Sequence, residues 1–134
     1  MFSNSTKYAI RAIVHMLQHQ DKGKNTVVEM ATDLRIPQPY LSKVLQQLSK
    51  NGIISSAKGR GGGFYLSKDN MNRPLIDVVI CIEGHNVFNK CILGLPACSD
   101  DNPCLLHPQF KAFKASIEQS ICNQAVEDLL KISE

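Results

Sequence analysis

The 134-residue sequence predicts a mainly α-helical fold that carries one small β-hairpin. Apolar residues recur at helical spacing near the N terminus and again after Pro108, and two β-prone runs flank a glycine-rich turn between them. Residues 1–68 hold ten lysines or arginines against three acidic residues, a net charge of +7, whereas residues 69–134 hold five against nine, a net charge of −4. The first half is therefore suited to a polyanion such as nucleic acid.

The N-terminal segment predicts one amphipathic helix that ends at the polar stretch 20–23. A second, shorter helix should follow Thr26 and run to about Leu34, because Thr26 and Glu29 have the spacing of a capping box. The buried face of the first helix is expected to hold Ala9, Ala12, Ile13, Met16 and Leu17.

A third helix is predicted from Pro39 to the Asn51-Gly52 pair. Pro37 forces a break before it, because proline has no backbone donor and restricts the preceding residue. Pro39 suits the first position of a new helix, since its fixed φ is already helical. The buried stripe of this helix is expected to consist of Leu41, Val44, Leu45 and Leu48.

Residues 53–56 and 64–67 predict two short strands, and the glycine-rich stretch 57–63 predicts the turn between them. Two helices broken by a proline-containing turn and followed by a basic hairpin are typical of a winged helix-turn-helix. We therefore predict that residues 1–68 form a DNA-binding domain of this type. A nucleotide-binding loop is not favoured, because the glycine stretch lacks the Gly-Lys-Ser/Thr ending and precedes a strand.

The polar N-terminal half of the third helix and the hairpin are the expected DNA contacts. The helix would read base edges in the major groove, and the hairpin would lie in or beside the narrow minor groove. The candidate residues are Gln38, Pro39, Tyr40, Ser42, Lys43, Lys58, Gly59 and Arg60. Arg60 is the strongest single candidate. RNA is the less favoured partner, since no aromatic-bearing RNA motif is present.

The second half of the chain is better suited to assembly than to solitary folding. Region 69–84 is expected to connect the two halves: the polar run 68–74 predicts a linker, and a helix should follow from Leu75 to Glu83 with Gly84 as its C-cap. Region 108–134 predicts a long dimerisation helix, because so small a domain can hardly bury its apolar stripe alone. Packing of that stripe within the same chain is the alternative. The stripe consists of Phe110, Phe113, Ile117 and Ile121.

Region 85–107 shows no sustained hydrophobic period but contains three of the five cysteines. Cys91 and Cys98 are separated by six residues, Cys98 and Cys104 by five, and His107 follows Cys104 by three. Three thiolates and one imidazole can bind an iron-sulfur cluster or a zinc ion. Zinc sites usually include Cys-x2-Cys pairs, which are absent here, but zinc remains an alternative.

The remaining cysteines and histidines are expected to be structural or solvated. Cys81 and Cys122 lie on helical faces among apolar residues, which is typical of buried thiols. His15 and His19 are one helical turn apart, and without an accompanying carboxylate we expect both to be solvated. No Cys-x2-Cys motif or nucleotide site supports a thiol-dependent redox enzyme, so no enzymatic activity is expected.

Several segments resemble the IscR/NsrR-like (Rrf-type) family of winged-helix transcriptional regulators. The resemblance spans nearly the whole chain and implies a DNA-binding repressor that forms a homodimer on a near-palindromic operator, with a long C-terminal helix crossing to the partner. The matching segments are Tyr8-Ala9, Pro39-Tyr40-Leu41, the run from Lys50 to Ser56, the run from Gly59 to Phe64, and the three-cysteine loop.

The resemblance also implies that Cys91, Cys98 and Cys104 are ligands of an iron-sulfur cluster that senses iron-sulfur, redox or nitric-oxide status. His107 lies where the cluster-assembly regulators of the family carry a histidine ligand. The nitric-oxide-sensing branch uses an acidic residue of the N-terminal helix, where this chain has Lys7 and Tyr8. This difference favours a 2Fe-2S cluster over a 4Fe-4S cluster.

Family relatives that regulate cysteine metabolism imply an alternative: a cofactor-free regulator controlled by a partner protein or by cysteine oxidation. No stretch approaches the roughly 20 apolar residues that a membrane span needs. The first residues lack a signal peptide's basic region followed by an apolar run. We therefore expect a cytoplasmic protein without a membrane segment.

Overall fold

The computed structural model describes residues 2–132, and it is mostly helical with one antiparallel hairpin, as predicted. Three single-turn 3-10 helices occupy Gln20–Lys22, Val87–Asn89 and Val126–Asp128. The longer elements are α1 (Asn4–Gln18), α2 (Val27–Leu34), α3 (Gln38–Lys50), β1 (Ser55–Ala57), β2 (Gly63–Tyr65), α4 (Lys68–Asn72), α5 (Ile76–Glu83), α6 (His107–Cys122) and α7 (Leu129–Ile132).

The first three helices begin and end where local chemistry dictates. The Ser3 hydroxyl accepts from the backbone N–H of Thr6 at the start of α1, and the Thr26 hydroxyl accepts from that of Glu29 at the start of α2. Only this half of the predicted capping box is present, because the Glu29 carboxylate pairs with Lys22. Arg35 ends α2 in the left-handed region with φ of 56°.

The main core lies between α1, α2, α3 and α5. All the residues predicted to be buried on α1 and α3 are buried. Ile53 and Ile54 are also buried, but they precede the hairpin instead of forming its first strand. Strand β1 therefore starts two residues later than predicted, and strand β2 starts one residue earlier. In the hairpin, Ser55 faces Tyr65, Ser56 faces Phe64, and Ala57 faces Gly63.

The predicted linker after the hairpin is wrong in part, because residues 68–72 of it form helix α4. Ser67 and Asn70 form a complete capping box, in which each side chain bonds the other residue's backbone N–H. Asn70 is buried, and its amide also donates to the carbonyl of Gly52. The helix thereby fixes the hairpin against the end of α3.

The single long helix predicted over 108–134 is also wrong, because α6 ends at Cys122. The chain then turns back to the segment between α4 and α5, where the Val126 N–H donates to Arg73 O at 2.8 Å and the Leu75 N–H donates to Gln124 O at 2.8 Å. Val126 and Leu129 are buried in the main core. Burial of these apolar side chains explains why the helical pattern does not continue as one rod.

A second, smaller core joins α5 to α6. Val79, Val87 and Phe88 are buried there, and Phe2 meets Phe88 edge to face with ring centroids 6.4 Å apart. Ile117 and Ile121 of α6 pack on the same cluster. Part of the stripe predicted for dimerisation is therefore covered within the chain. None of the helices in the described range combines the length and apolar character needed to cross a membrane.

Candidate DNA-binding surface and metal centre

The N-terminal part of α3 presents a polar surface opposite its buried stripe. Gln38, Pro39, Tyr40 and Lys43 are exposed, and the Tyr40 side chain is 64% exposed. Ser42 is half-buried, and its hydroxyl accepts from the Gln46 amide at 3.3 Å. Four of the five candidates on this helix are therefore available to a groove, while Ser42 would have to exchange an existing hydrogen bond.

The hairpin tip carries the other candidates, and Lys58, Gly59 and Arg60 are all exposed. Gly59 has φ of +87°, and its carbonyl accepts from the Gly62 N–H at 3.0 Å, which closes the turn. A Cβ on Gly62 would lie 2.3 Å from Ala57 O. The turn itself requires this glycine, whether or not the backbone also approaches DNA.

The base of the hairpin is held by Asn25, which lies between α1 and α2. Its N–H donates to Phe64 O, and its carbonyl accepts from the Phe64 N–H, both at 2.8 Å. A Cβ on Gly63 would lie 2.7 Å from Asn25 O, so this glycine permits the close backbone contact. The hairpin therefore has a fixed position relative to α2 and α3.

The structure brings the three loop cysteines together. The Sγ atoms of Cys91, Cys98 and Cys104 all lie within 4.8 Å of one another, and all three residues are half-buried. The sulfurs of Cys91 and Cys104 are 3.6 Å apart. Nδ1 of His107 lies 3.3 Å from the Cys98 sulfur. Three sulfurs thus converge on one volume, and the imidazole of His107 lies against one of them, that of Cys98.

Tight turns, not a helix or strand, hold this loop in place. The N–H groups of Gly94, Cys98 and His107 donate to the carbonyls three residues earlier. His107 is also the first residue of α6, so the helix fixes the fourth donor while the turns fix the sulfurs. The buried Phe88 secures the start of the loop on α5.

The thiols differ in acidity. The pKa of Cys91 is lowered to about 7, chiefly because the backbone N–H of Leu95 is directed at the sulfur. The backbone N–H of Cys104 lowers the pKa of Cys98, but burial and the neighbouring thiols outweigh this effect and raise it overall. Cys91 is therefore converted to a metal-binding thiolate more readily than Cys98.

Asp100 orients the imidazole from the outer side. Its carboxylate lies 2.9 Å from Nε2 of His107 and accepts from the Lys111 ammonium at 2.9 Å. The hydrogen bond from Lys111 and, to a smaller extent, that from His107 lower the pKa of Asp100 to about 2. A carboxylate on Nε2 leaves Nδ1 as the nitrogen available to a metal. The sequence reasoning missed Asp100.

Lys114 was also missed. Its side chain is only 7% exposed, and its ammonium donates to Lys90 O at 2.9 Å and lies 5.1 Å from the centre of the Phe110 ring. With Cys91, Cys98 and His107 it lines an open cavity of about 280 Å³. His107, Lys111 and Lys114 follow each other at spacings of four and three on one helical face, but this spacing does not show that the face meets the cysteines.

The expectations that Cys122 is buried and that His15 is solvated are wrong. Cys122 is exposed at the end of α6, whereas Cys81 is half-buried against the core. His15 is 5% exposed and has a carboxylate partner, with Nε2 at 3.0 Å from Asp33. His19 stacks on it with ring centroids 4.2 Å apart. Asp33 comes from α2, so spacing along α1 could not reveal it.

Helices α2 and α3, followed by the β1–β2 hairpin, form a winged helix-turn-helix. This fold defines the class of the protein as a winged-helix transcriptional regulator. The chain belongs to the Rrf2 family: the model of that family, described as an iron-dependent transcriptional regulator, matches residues 2–132. Members of this family are transcriptional regulators and not enzymes, which confirms the predicted class. The predicted resemblance to IscR-like regulators is confirmed as well.

Curated relatives and solved structures agree with this assignment. An HTH-type transcriptional regulator of Aquifex aeolicus is 32% identical over 100% of this chain and 94% of its own length. The regulator IscR of Photorhabdus laumondii is 25% identical over 96% of this chain and 77% of its own length.

Two solved structures share the fold at lower identity. CymR, the global cysteine regulator of B. subtilis, superposes with a TM-score of 0.76 at 16% identity, covering 100% of this chain and 98% of its own. T. potens IscR gives 0.73 at 22% identity, covering 100% and 88%.

Proposed function

We propose that this regulator is a dimeric repressor that binds a double-stranded operator and senses iron-sulfur, redox or nitric-oxide status through a cluster held by Cys91, Cys98, Cys104 and His107. The observation that carries the proposal is the convergence of the three sulfurs within 4.8 Å, next to an imidazole nitrogen. We also propose a cytoplasmic location for the protein, because binding to a bacterial operator requires it.

The DNA-binding half of the proposal rests on two exposed surfaces in a basic domain. Gln38, Tyr40 and Lys43 lie on the outer face of α3, and Lys58 and Arg60 lie at the hairpin tip. We assign α3 to the major groove and the hairpin to the minor groove, as in other winged helix-turn-helix domains. Pro39, Ser42 and Gly59 complete the proposed contact set.

The donor set fits an iron-sulfur cluster. Cysteine thiolates hold such clusters, and histidine replaces cysteine at some of their irons. When bound, the cluster would supply one-electron redox chemistry. The loop cysteines would hold it, His107 would complete the site through Nδ1, and Asp100 would keep that ring oriented. One imidazole with three thiolates favours 2Fe-2S, and 4Fe-4S and zinc are the alternatives that the experiment below separates.

Homodimer formation is supported by apolar side chains that this chain does not cover. Phe113 of α6 is exposed, and Leu105, just before α6, is 87% exposed. The loop adds three more exposed apolar residues: Ile92, Leu93 and Leu95. A symmetric contact between two copies would bury them. Light scattering should give a mass near twice the 14.9 kDa of one chain.

The test is metal analysis of protein purified without oxygen. We expect brown protein with about two iron atoms and two acid-labile sulfides per chain, whereas about four of each would identify a 4Fe-4S cluster. Cys98→Ala should lose both iron and sulfide. Cys122→Ala is the matched control, because Cys122 is exposed and outside the site. Colourless wild-type protein that cannot be reconstituted would exclude the cluster, and stoichiometric zinc in its place would identify a structural metal site.

A second candidate function is a cofactor-free regulator controlled by a partner protein or by cysteine oxidation. The observation that favours the oxidation form is the 3.6 Å approach of the Cys91 and Cys104 sulfurs, together with the lowered pKa of Cys91. A thiolate that attacks hydrogen peroxide becomes a sulfenic acid and releases hydroxide, and a nearby thiol then converts the sulfenic acid to a disulfide with loss of water. Iron-free protein that forms this disulfide with peroxide and then changes its operator affinity would support this candidate.

A further inference from the structure

We propose that Lys114 is the charge-compensating residue of the cluster site and raises the reduction potential of the bound cluster. This inference rests on the proposed function, because it needs a cluster at Cys91, Cys98 and Cys104. It concerns a residue that contributes no ligand atom. Its role would be to stabilise negative charge in the cavity that it shares with the cysteines.

The first observation is a buried cation without a carboxylate. A lysine side chain is rarely buried unless its charge is paired, because removing an ammonium from water is costly. The Lys114 ammonium is held by one carbonyl, that of Lys90, and by the face of the Phe110 ring. Within residues 2–132, no carboxylate forms an ion pair with it. These contacts orient the charge without neutralising it.

The second observation is the position of the Lys114 side chain beside the proposed ligands. Lys114 lines the open cavity with Cys91, Cys98 and His107, and it also lines a smaller pocket with Cys91, Cys104 and His107. It therefore borders all four proposed ligands. An anion in this cavity would have a fixed, desolvated cation beside it, where electrostatic interactions are strong.

The bound cluster with its ligands would be that anion. Three thiolates and one neutral imidazole around two ferric ions and two sulfides leave a net negative charge. Reduction takes one electron from an external reductant, converts one ferric ion to ferrous, and makes this charge more negative without breaking a bond. A nearby fixed cation stabilises the reduced state more than the oxidised state. Net charge and exposure are among the factors that set cluster potentials.

Lys111 is a natural comparison for Lys114. It lies one turn earlier on the same face of α6 and lines the same cavity. However, it is 62% exposed and already paired with Asp100. Solvent and the carboxylate screen its charge. The structure thus offers two lysines at one cavity, of which only one is buried and lacks a carboxylate partner in the described chain.

The experiment is a spectroelectrochemical titration of anaerobically loaded protein, with dithionite as reductant. Lys114→Gln keeps a donor for Lys90 O but removes the charge, and Lys114→Met removes both. We expect both variants to show a reduced-to-oxidised ratio about tenfold lower than wild type at a fixed potential, a shift of about −59 mV for a one-electron couple. Lys114→Arg and Lys111→Gln should stay within about threefold of wild type.

The outcomes distinguish failure of the proposed role of Lys114 from failure of the cluster proposal. Normal cluster content with an unchanged potential in both neutral variants would overturn the role of Lys114 and leave the cluster proposal standing. A change in Lys114→Met alone would show that the bond to Lys90 matters and the charge does not, which also overturns it. Loss of iron from the neutral variants but not from Lys114→Arg would support it. Wild-type protein that never binds iron would overturn both.

Discussion

At the scale of single residues, the grouping of the three loop cysteines could be predicted from the sequence, because they share one short segment without a hydrophobic period. Asp100 and Lys114 could not be assigned in the same way. An acidic loop residue and a helical lysine are ordinary surface residues until the fold places one 2.9 Å from Nε2 of His107 and buries the other beside the sulfurs. Their roles depend on three-dimensional position, which spacing alone does not define.

The acidity of Cys91 leads to a residue-scale prediction for metal-free, reduced protein. With a pKa of about 7, roughly half of this thiol is deprotonated at pH 7, whereas the raised pKa of Cys98 keeps that thiol protonated. Iodoacetamide should therefore modify Cys91 well before Cys98, as measured by peptide mass spectrometry over time. Denatured protein is the control, in which both should react at similar rates. Earlier labelling of Cys98 would contradict the assignment.

A second residue-scale prediction concerns Asp100. Replacing it with alanine removes the group that orients His107, and loss of such an outer carboxylate typically weakens metal binding about 10- to 100-fold. Asp100→Ala should accordingly release iron to a chelator faster than wild type. Asp101→Ala is the matched control, because it removes the neighbouring exposed carboxylate. Equal release from the two variants would show that Asp100 does not support the site.

At the scale of elements, α1, α2 and α3 could be predicted because their apolar periodicity, caps and proline break all agree. The hairpin strands were displaced by two residues at the start, since Ile53 and Ile54 are buried in the core instead of pairing. Helix α4 was missed because a polar run with few apolar positions reads as a linker. Its stability comes from the Ser67 and Asn70 side chains.

Asn70 provides the element-scale prediction. Its carbonyl oxygen accepts from the Ser55 hydroxyl, the Ser67 hydroxyl and the Ser67 N–H, and its amide donates to Gly52 O. Asn70→Ala leaves buried polar groups unpaired, so the free energy of unfolding should fall by about 1–3 kcal/mol. Denaturant unfolding measures this. Asn72→Ala, at an exposed position of the same helix, should change it by less than about 0.5 kcal/mol.

At the scale of the whole molecule, the charge division and the resemblance predicted the class of protein, and family membership confirms that class. The path of the C-terminal segment could not be predicted. Its apolar residues continue a helical pattern, and only the fold shows that Val126 and Leu129 return to the main core. For the same reason, the sequence did not show which residues of the apolar stripe on α6 pack within the chain. Ile117 and Ile121 pack within the chain, whereas Phe113 is exposed.

The basic first half leads to a whole-molecule prediction about DNA. Arg60→Ala should weaken binding to the operator duplex about tenfold and lower the slope of log affinity against log salt by about 1, because one cation no longer contacts DNA. Fluorescence anisotropy at several salt concentrations measures both quantities. Lys131→Ala removes an exposed cation outside the proposed contact set and should leave both unchanged. An unaltered salt slope in Arg60→Ala would refute the contact.

Arg73 joins two distant parts of the molecule. Its carbonyl accepts from Val126, and its guanidinium donates to the carbonyls of Asn51 and Gly52 at the end of α3. Helix α6 starts at His107, and the segment that follows it is bonded to the same residue that binds the end of α3. A displacement of α6 would therefore act on the end of α3 through Arg73.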